Sequence, residues 1–214
     1  MISDMQKGKV IALLQKKGGA AKTTTAINLL GAFLEKGFKA VLCDMDKDKP
    51  DAIYWADNGT DLIENVIPLV DENPKKKIEE LKLQYDFIII DTPPNFEAAA
   101  LKAAMICDFS IIPCAASLIE VKALHDAAAC AMLANKPFKF LASRVTKNTK
   151  STNQLLNQLG ETGTSFKTYI TNSVTMTECQ STGTWVGRYA SSSNNHQQYL
   201  ELVNEIFIYL GVTK

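Results

Sequence analysis

No stretch of this 214-residue chain approaches the ~20 apolar residues needed to cross a bilayer. The opening "MISDMQKGKVIALL" also lacks the long apolar segment of a secretory leader. Cysteine is sparse and unpatterned. The five residues (Cys43, Cys107, Cys114, Cys130, Cys179) are odd in number, with no C-x-x-C and no Cys/His spacing suited to zinc. Several lie in apolar runs, where cysteine serves as a small core residue. Histidine is rarer still: His125 falls in an Ala-rich helical segment and His196 in a polar loop, and neither is assigned a function. No internal repeat is present. Net charge is absent as well, with 23 Lys/Arg against 23 Asp/Glu, which argues against a protein that coats nucleic acid wholesale. The expectation is a cytoplasmic, reduced protein with no membrane partner, in which residues 1–214 form one domain able to bury a core without staples.

The neutral total hides an asymmetry. Residues 1–135 carry 15 Lys/Arg against 19 Asp/Glu, whereas residues 136–190 carry seven basic against two acidic side chains. One region is therefore basic within an acidic chain, which suits a weak anionic partner at one face.

Apolar strands alternate with helical segments along the chain. "KVIALLQ" (9–15), "KAVLCDMD" (39–46), "VIPLV" (66–70), "YDFIIIDTPP" (85–94), "FSIIPCA" (109–115), "FKFLASRV" (138–145) and "KTYITNSV" (167–174) read as strands. Helices are expected after the first loop up to Gly37, over 51–59, from Pro74, over 97–107, 117–135, near 151–159, and from about His196 to Leu210. "YASSSNNHQQ" (189–198) reads as a polar connector. This alternation predicts an α/β fold, a mostly parallel twisted sheet with helices on both faces.

Three motifs carry chemistry. "QKKGGAAKTTTAINLL" follows a strand and opens a helix, the context of a phosphate-binding loop. Successive N–H groups at a helix N-terminus form an anion nest, and Gly18-Gly19 allow close approach of the backbone. The cradle is Lys17, Gly18, Gly19, Ala20, Ala21, Lys22, Thr23 and Thr24. Within it Lys22 would reach the β/γ-phosphates and Thr23 would offer its hydroxyl to Mg²⁺. In "FIIIDTPP", Asp91 ends a central strand, where a carboxylate can hold Mg²⁺ through water. In "CDMDKDKPD", Asp44 and Asp46 reach the C-terminal edge of the sheet, where open α/β sheets bind ligands. A carboxylate there can orient an attacking water or hold Mg²⁺ through its shell. Asp48 and Asp51 are expected to cap the turn and helix that follow.

Together these residues resemble the deviant Walker A form K-G-G-x-x-K-T-T, with a signature lysine, Lys17, ahead of the two glycines. The chain is similar to ParA/MinD-type ATPases over most of its length, and closest to the small plasmid-partition ParA group without an N-terminal helix-turn-helix extension. "FSIIPCAAS" and "FKTYITNSV" resemble two further strands of that family. The resemblance implies a P-loop NTPase fold, ATP and Mg²⁺, and a sandwich homodimer with nucleotide at the interface. It also implies that Lys17 reaches the partner's phosphates, that Asp46 orients the water and Lys22 assists the chemistry, and that Thr23, Asp44 and Asp91 serve the metal. The ATP-bound dimer would bind nonspecific DNA on the nucleoid and segregate a plasmid or chromosome. A ParB-like adaptor would stimulate slow hydrolysis. Arg144, Lys147, Lys150 and Arg188 are candidates for DNA or base-pocket contacts.

One departure stands out. Ala21 replaces the glycine before Lys22; if that position requires φ > 0, alanine costs ~1 kcal/mol or more and its methyl crowds the β-phosphate. Weakened nucleotide affinity or turnover is expected. Alternatives remain open: positioning of non-DNA cargo, conjugative DNA transfer, a metabolic P-loop enzyme, or a weakly hydrolysing scaffold. A MinD-like membrane mode would need a basic amphipathic final helix, and "YLELVNEIFIYLGVTK" is acidic.

Overall fold

A computed structural model of the chain describes residues 8–94, 97–115 and 121–212. Among these, six strands form one sheet: β1 (Lys9–Leu13), β2 (Ala40–Asp44), β3 (Val66–Pro68), β4 (Phe87–Asp91), β5 (Phe109–Ala115) and β6 (Phe138–Ser143). Their spatial order is β3-β2-β4-β1-β5-β6, and every pairing is parallel. Such strands are buried on both faces, which is why they read as unbroken apolar runs.

Period-two alternation sorts the strand side chains between two layers. Ile11, Leu13, Ala40, Leu42, Phe87 and Ile89 face one core, shared with α1 (Lys22–Glu35), α2 (Asp51–Asp57), α7 (Val174–Ser181), α8 (Val186–Tyr189) and α9 (Asn194–Leu210). Val10, Ala12, Val41, Cys43, Ile88 and Ile90 face the other, covered by α3 (Pro74–Leu81), α4 (Glu97–Ile106), α5 (Val121–Leu133) and α6 (Lys150–Glu161). The mostly parallel sheet with helices on both faces, expected from the alternating pattern, is the one observed.

Helix α1 is the central tie of the first layer. Phe33 stacks on Phe87 at 4.1 Å between centroids, Asn28 accepts from the Val186 N–H at 2.8 Å, and Gly31 receives the indole of Trp185. A Cβ on Gly31 would stand 2.1 Å from Trp185 Cδ2, so only glycine permits this contact. Gly183, at φ 67°, likewise meets the backbone of Gly59; a Cβ there would lie 2.0 Å from Gly59 N. Trp55 Nε1 donates to Thr184 O at 2.9 Å and closes the same junction.

Several expectations are corrected. Residues 167–174 do not form a strand. The segment of 165–171 runs beside β6 and the residues just after it, with two isolated bridges, Phe140 to Ser165 and Val145 to Thr171. The ladder is interrupted at Thr168, whose N–H donates to the Glu205 carboxylate at 2.6 Å, while Phe166 N and Ile170 N on either side donate to Phe140 O and Ala142 O. Helices α7 and α8 were not anticipated. The connector of 189–198 shrinks to residues 190–193, because Ser193 accepts from His196 N and α9 starts at Asn194, two residues earlier than expected. His196 is therefore helical, and its ring bonds Ser191 O and Glu35. The start of the helix expected over 117–135 lies outside the described residues, whose helix begins at Val121.

Candidate functional site

Strand register assembles the site. Leu13 pairs with Asp91, and Asp91 with Asp44, so three parallel strands end level at one edge of the sheet. The Thr92 hydroxyl donates to Leu13 O at 2.6 Å and fixes the exit of β4 against that of β1. The chain after β1 turns through Gly18, Gly19, Ala20 and Ala21 into α1. There it borders a cleft of about 480 Å³ that also takes in Asp44, Asp46, Lys49, Asp51 and Asp91. This edge, beside the central strand, is where parallel α/β sheets receive ligands.

The loop's backbone is specialised. Gly19 has φ 74°, and Ala21, the N-cap of α1, has φ 69° and ψ 29°, the left-handed region that the sequence raised as a condition. Ala21 has no capping side chain, and its carbonyl accepts from Thr25 N at 2.9 Å. The first N–H groups of this 14-residue helix face an anion-attracting N-terminus. Lys22, 7% exposed, points into the cleft, and burial depresses its pKa against the opposing pull of Asp91, Asp46 and Asp51. Thr23 Oγ1 donates to Asp91 Oδ2 at 2.6 Å. Asp91 is pushed up to about 7, chiefly by burial and further by Asp44, against the Thr23 bond and Lys22. Its second oxygen, Oδ1, is buried without a hydrogen-bond partner.

That orphaned oxygen is the test of fit for a divalent cation. A buried carboxylate with one oxygen on a threonine hydroxyl and the other unsatisfied suits a hard cation that keeps its waters and completes its shell with phosphate oxygens. Among the described residues no group of three or more His, Cys, Asp or Glu could bind a metal without such help. The donor set fits Mg²⁺ arriving with a nucleotide.

Asp44 has a different occupation. Its Oδ2 accepts from Ala52 N (3.0 Å) and Ile53 N (3.4 Å), and its Oδ1 from Asp46 N (2.9 Å). Asp44 thus satisfies the N-terminus of α2, the task expected of Asp48 and Asp51. Asp51 instead pairs with Lys49 at 3.6 Å. Burial raises the Asp44 pKa while these three N–H donors lower it. Asp46 in turn accepts through Oδ1 from the N–H groups of Asp48 and Lys49, which shapes the turn beside Lys22. Lys17 is exposed at the mouth of the loop, its own N–H held by Gln15.

The basic candidates have different surroundings. Arg144 Nη1 donates to Gly19 O at 3.0 Å, whereas Arg188 pairs with Asp61 at 3.6 Å. Lys147 and Lys150 are exposed between β6 and the first turn of α6. Within the same basic region, Lys139 sits over the rings of Phe166 and Tyr209 and donates to Ser165 O. Sequence reasoning missed the other wall of the cleft, made of Ile170, Asn172, Met176 and Tyr199. The two bridges to β6 that place this wall have no signature in composition or periodicity.

Comparison with known proteins agrees with this geometry. A protein-family model described as "AAA domain" matches residues 8–64 and 58–136. The maintenance of carboxysome distribution protein A of Gloeobacter kilaueensis is 36% identical over 99 residues, 45% of this chain and 44% of that protein. The sporulation initiation inhibitor protein Soj of Bacillus subtilis is 24% identical across 93% of this chain and 98% of its own length. The chromosome partitioning protein ParA of Myxococcus xanthus is 27% identical over 50% and 52%. The chain therefore spans about half the length of the carboxysome-distribution relatives it matches, 44% and 54% of the two. In fold, it resembles MinD of Pyrococcus horikoshii complexed with Mg-ADP (TM-score 0.77, 20% identity, 96% of this chain and 98% of that one). It also resembles an McdA variant of Cyanothece in complex with ATP (TM-score 0.71, 14% identity, 98% of both chains).

Proposed function

Because the chain belongs to the ParA/MinD-type P-loop ATPases, within the AAA-domain family, we propose that it binds ATP with Mg²⁺ in this cleft and hydrolyses it slowly to position a cargo. The observation that carries the reading is the Thr23–Asp91 pair, at 2.6 Å with one carboxylate oxygen orphaned, beside the buried Lys22. Mg²⁺, when bound by Thr23 and Asp91, supplies neutralisation of phosphate charge. Lys22, buried beside three carboxylates, donates to the β/γ-phosphates. The loop N–H groups from Gly18 to Thr24 cradle the phosphate oxygens. Asp46 orients the attacking water, and Asp44 holds Asp46 in place through its N–H. Hydrolysis of the γ-phosphoryl group gives ADP and phosphate.

Lys17, exposed at the rim, serves the partner's phosphates in an ATP-sandwich homodimer, as a charge supplied in trans. The dimer binds nonspecific DNA and is released when a ParB-like adaptor stimulates turnover. A second reading, a non-DNA cargo, is favoured by the 36% identity to a carboxysome-distribution protein and by the partnering of Arg188 with Asp61 and of Lys139 with Phe166 and Tyr209. Among the described residues no helix is long and apolar enough to cross a membrane, which supports neither a transmembrane anchor nor any particular compartment.

Sedimentation velocity with ADP or ATP·Mg²⁺, each with and without nonspecific duplex DNA, tests the proposal. ATP-specific dimers that comigrate with DNA are the expected outcome. ATP-specific dimers that ignore DNA select the second reading, and dimerisation indifferent to nucleotide refutes both.

A further inference from the structure

Arg144 stands in a backbone conformation that arginine does not favour. Its φ of 53° lies in the left-handed region, which it shares among non-glycine residues with Ala21, Asn135 and Asn148. Asparagine tolerates that region; arginine does so only where the surroundings impose it. Here the turn aims the side chain back across the cleft, so that Nη1 donates to the carbonyl of Gly19, 125 residues away, at 3.0 Å. A peptide unit is planar and trans. Anchoring the Gly19 carbonyl therefore fixes the direction of the Ala20 N–H on the other side of the same plane. A cationic donor on the carbonyl also polarises the unit and strengthens that N–H as a donor.

The residue after Arg144 is tied as firmly to another part of the cleft. Val145 N donates to Ile170 O, and Asn172 N donates to Val145 O, both at 2.9 Å. Ile170, Asn172, Gly19, Ala20 and Arg144 all line the one cavity. Arg144 and Val145 thus join the phosphate loop to the wall built by residues 170–172, two segments distant in sequence.

We propose that Arg144 is a positioning residue of the phosphate loop, its guanidinium fixing the Gly19–Ala20 peptide in the shape that receives nucleotide phosphates. The assignment rests on the nucleotide-binding reading above and adds to it a device outside the K-G-G-x-x-K-T-T motif. The bond is solvent-exposed, so its removal is expected to weaken binding of a fluorescent ADP analogue by about three- to tenfold, the size of one such hydrogen bond.

The test compares wild type, Arg144→Ala, Arg144→Lys and Arg144→Gly for ADP-analogue affinity and for ligand-free thermal midpoint. Arg144→Gly relieves the left-handed strain while removing the clamp. It is expected to unfold at or above the wild-type midpoint and yet bind ADP more weakly, with Arg144→Lys between the two. A role confined to fold stability would move both readouts in the same direction, and that pattern overturns the proposal. So does wild-type affinity in the alanine and glycine variants. If the wild-type protein itself binds no ADP, the nucleotide reading fails and this one with it.

Discussion

Ala21→Gly isolates one backbone angle. Ala21 sits at φ 69° and ψ 29° between Gly19 and Lys22, with no side chain bonded to the helix it caps. An alanine there carries on the order of 1–2 kcal/mol of steric strain that glycine does not. Glycine also frees the unfolded chain, which removes about 0.4–1 kcal/mol of stability. The strain term wins, and the net stabilisation is roughly 0.5–1 kcal/mol, or about 1–4 °C for a chain of this size. The control is Ala20→Gly. Ala20 is 1% exposed and is not among the positive-φ residues, so only the unfavourable terms apply and its midpoint should fall. Differential scanning fluorimetry of the ligand-free variants measures both. Strain common to the free and the ligand-bound loop cancels from an affinity. Any tightening of ATP or faster turnover in Ala21→Gly would therefore report the methyl's crowding of the β-phosphate. An Ala21→Gly midpoint at or below wild type, or equal shifts for both variants, refutes the reasoning.

Gly31→Ala drives a methyl into Trp185 at 2.1 Å, and overpacking should exceed the gain in helix propensity; a loss of about 1–3 kcal/mol is expected in urea denaturation, and an unchanged midpoint contradicts it. Burial pushes the thiols of Cys43 and Cys114 up to about 12 and that of Cys179 to about 11. A thiol reagent at pH 8 should accordingly find no rapid thiol in the native protein and all five after denaturation. Asp91 titrates at about 7 in the fold against 3.8 for an ordinary aspartate, so its neutral form is the one folding favours. Its contribution to stability is complete below about pH 4 and is lost as pH rises through about 7. In chelator-treated protein, Asp91→Asn should gain on wild type by an amount on the order of a few kcal/mol between pH 5 and 8, read from denaturation midpoints; parallel pH profiles would refute this.

Local pattern carried the part of the structure that is local. The strand–loop–helix from Lys9 to Glu35 and the apolar run ending at Asp91 are contiguous in sequence, so their spacing announced them. Alternation of buried strands and helices was enough for a parallel sheet covered on both faces. What escaped depends on partners far along the chain. Residues 167–174 have strand-like composition, but Glu205 captures the Thr168 N–H that a ladder with β6 would use. Asp44 is placed beside the site by where its strand ends, and the pattern did not offer its further task of accepting from three N–H groups of residues 46–53. Arg144, a candidate for DNA or base-pocket contact, does line the cleft, and what the pattern did not offer is its bond to the carbonyl of Gly19. The condition on Ala21, φ > 0, could be stated beforehand because it follows from the stereochemistry of one residue.

The cleft draws its lining from Gly18 near the start of the chain to Tyr199 in the last helix, and this sets a clock on synthesis. A ribosome adding about 5–20 residues per second needs roughly 10–35 s to pass from Lys22 to Tyr199. Through that interval the lysine and its loop are already made, while one wall of the cleft does not yet exist. A nascent chain can close on nucleotide only once α9 has docked, so ligand capture would report completion of the fold and could not guide its beginning.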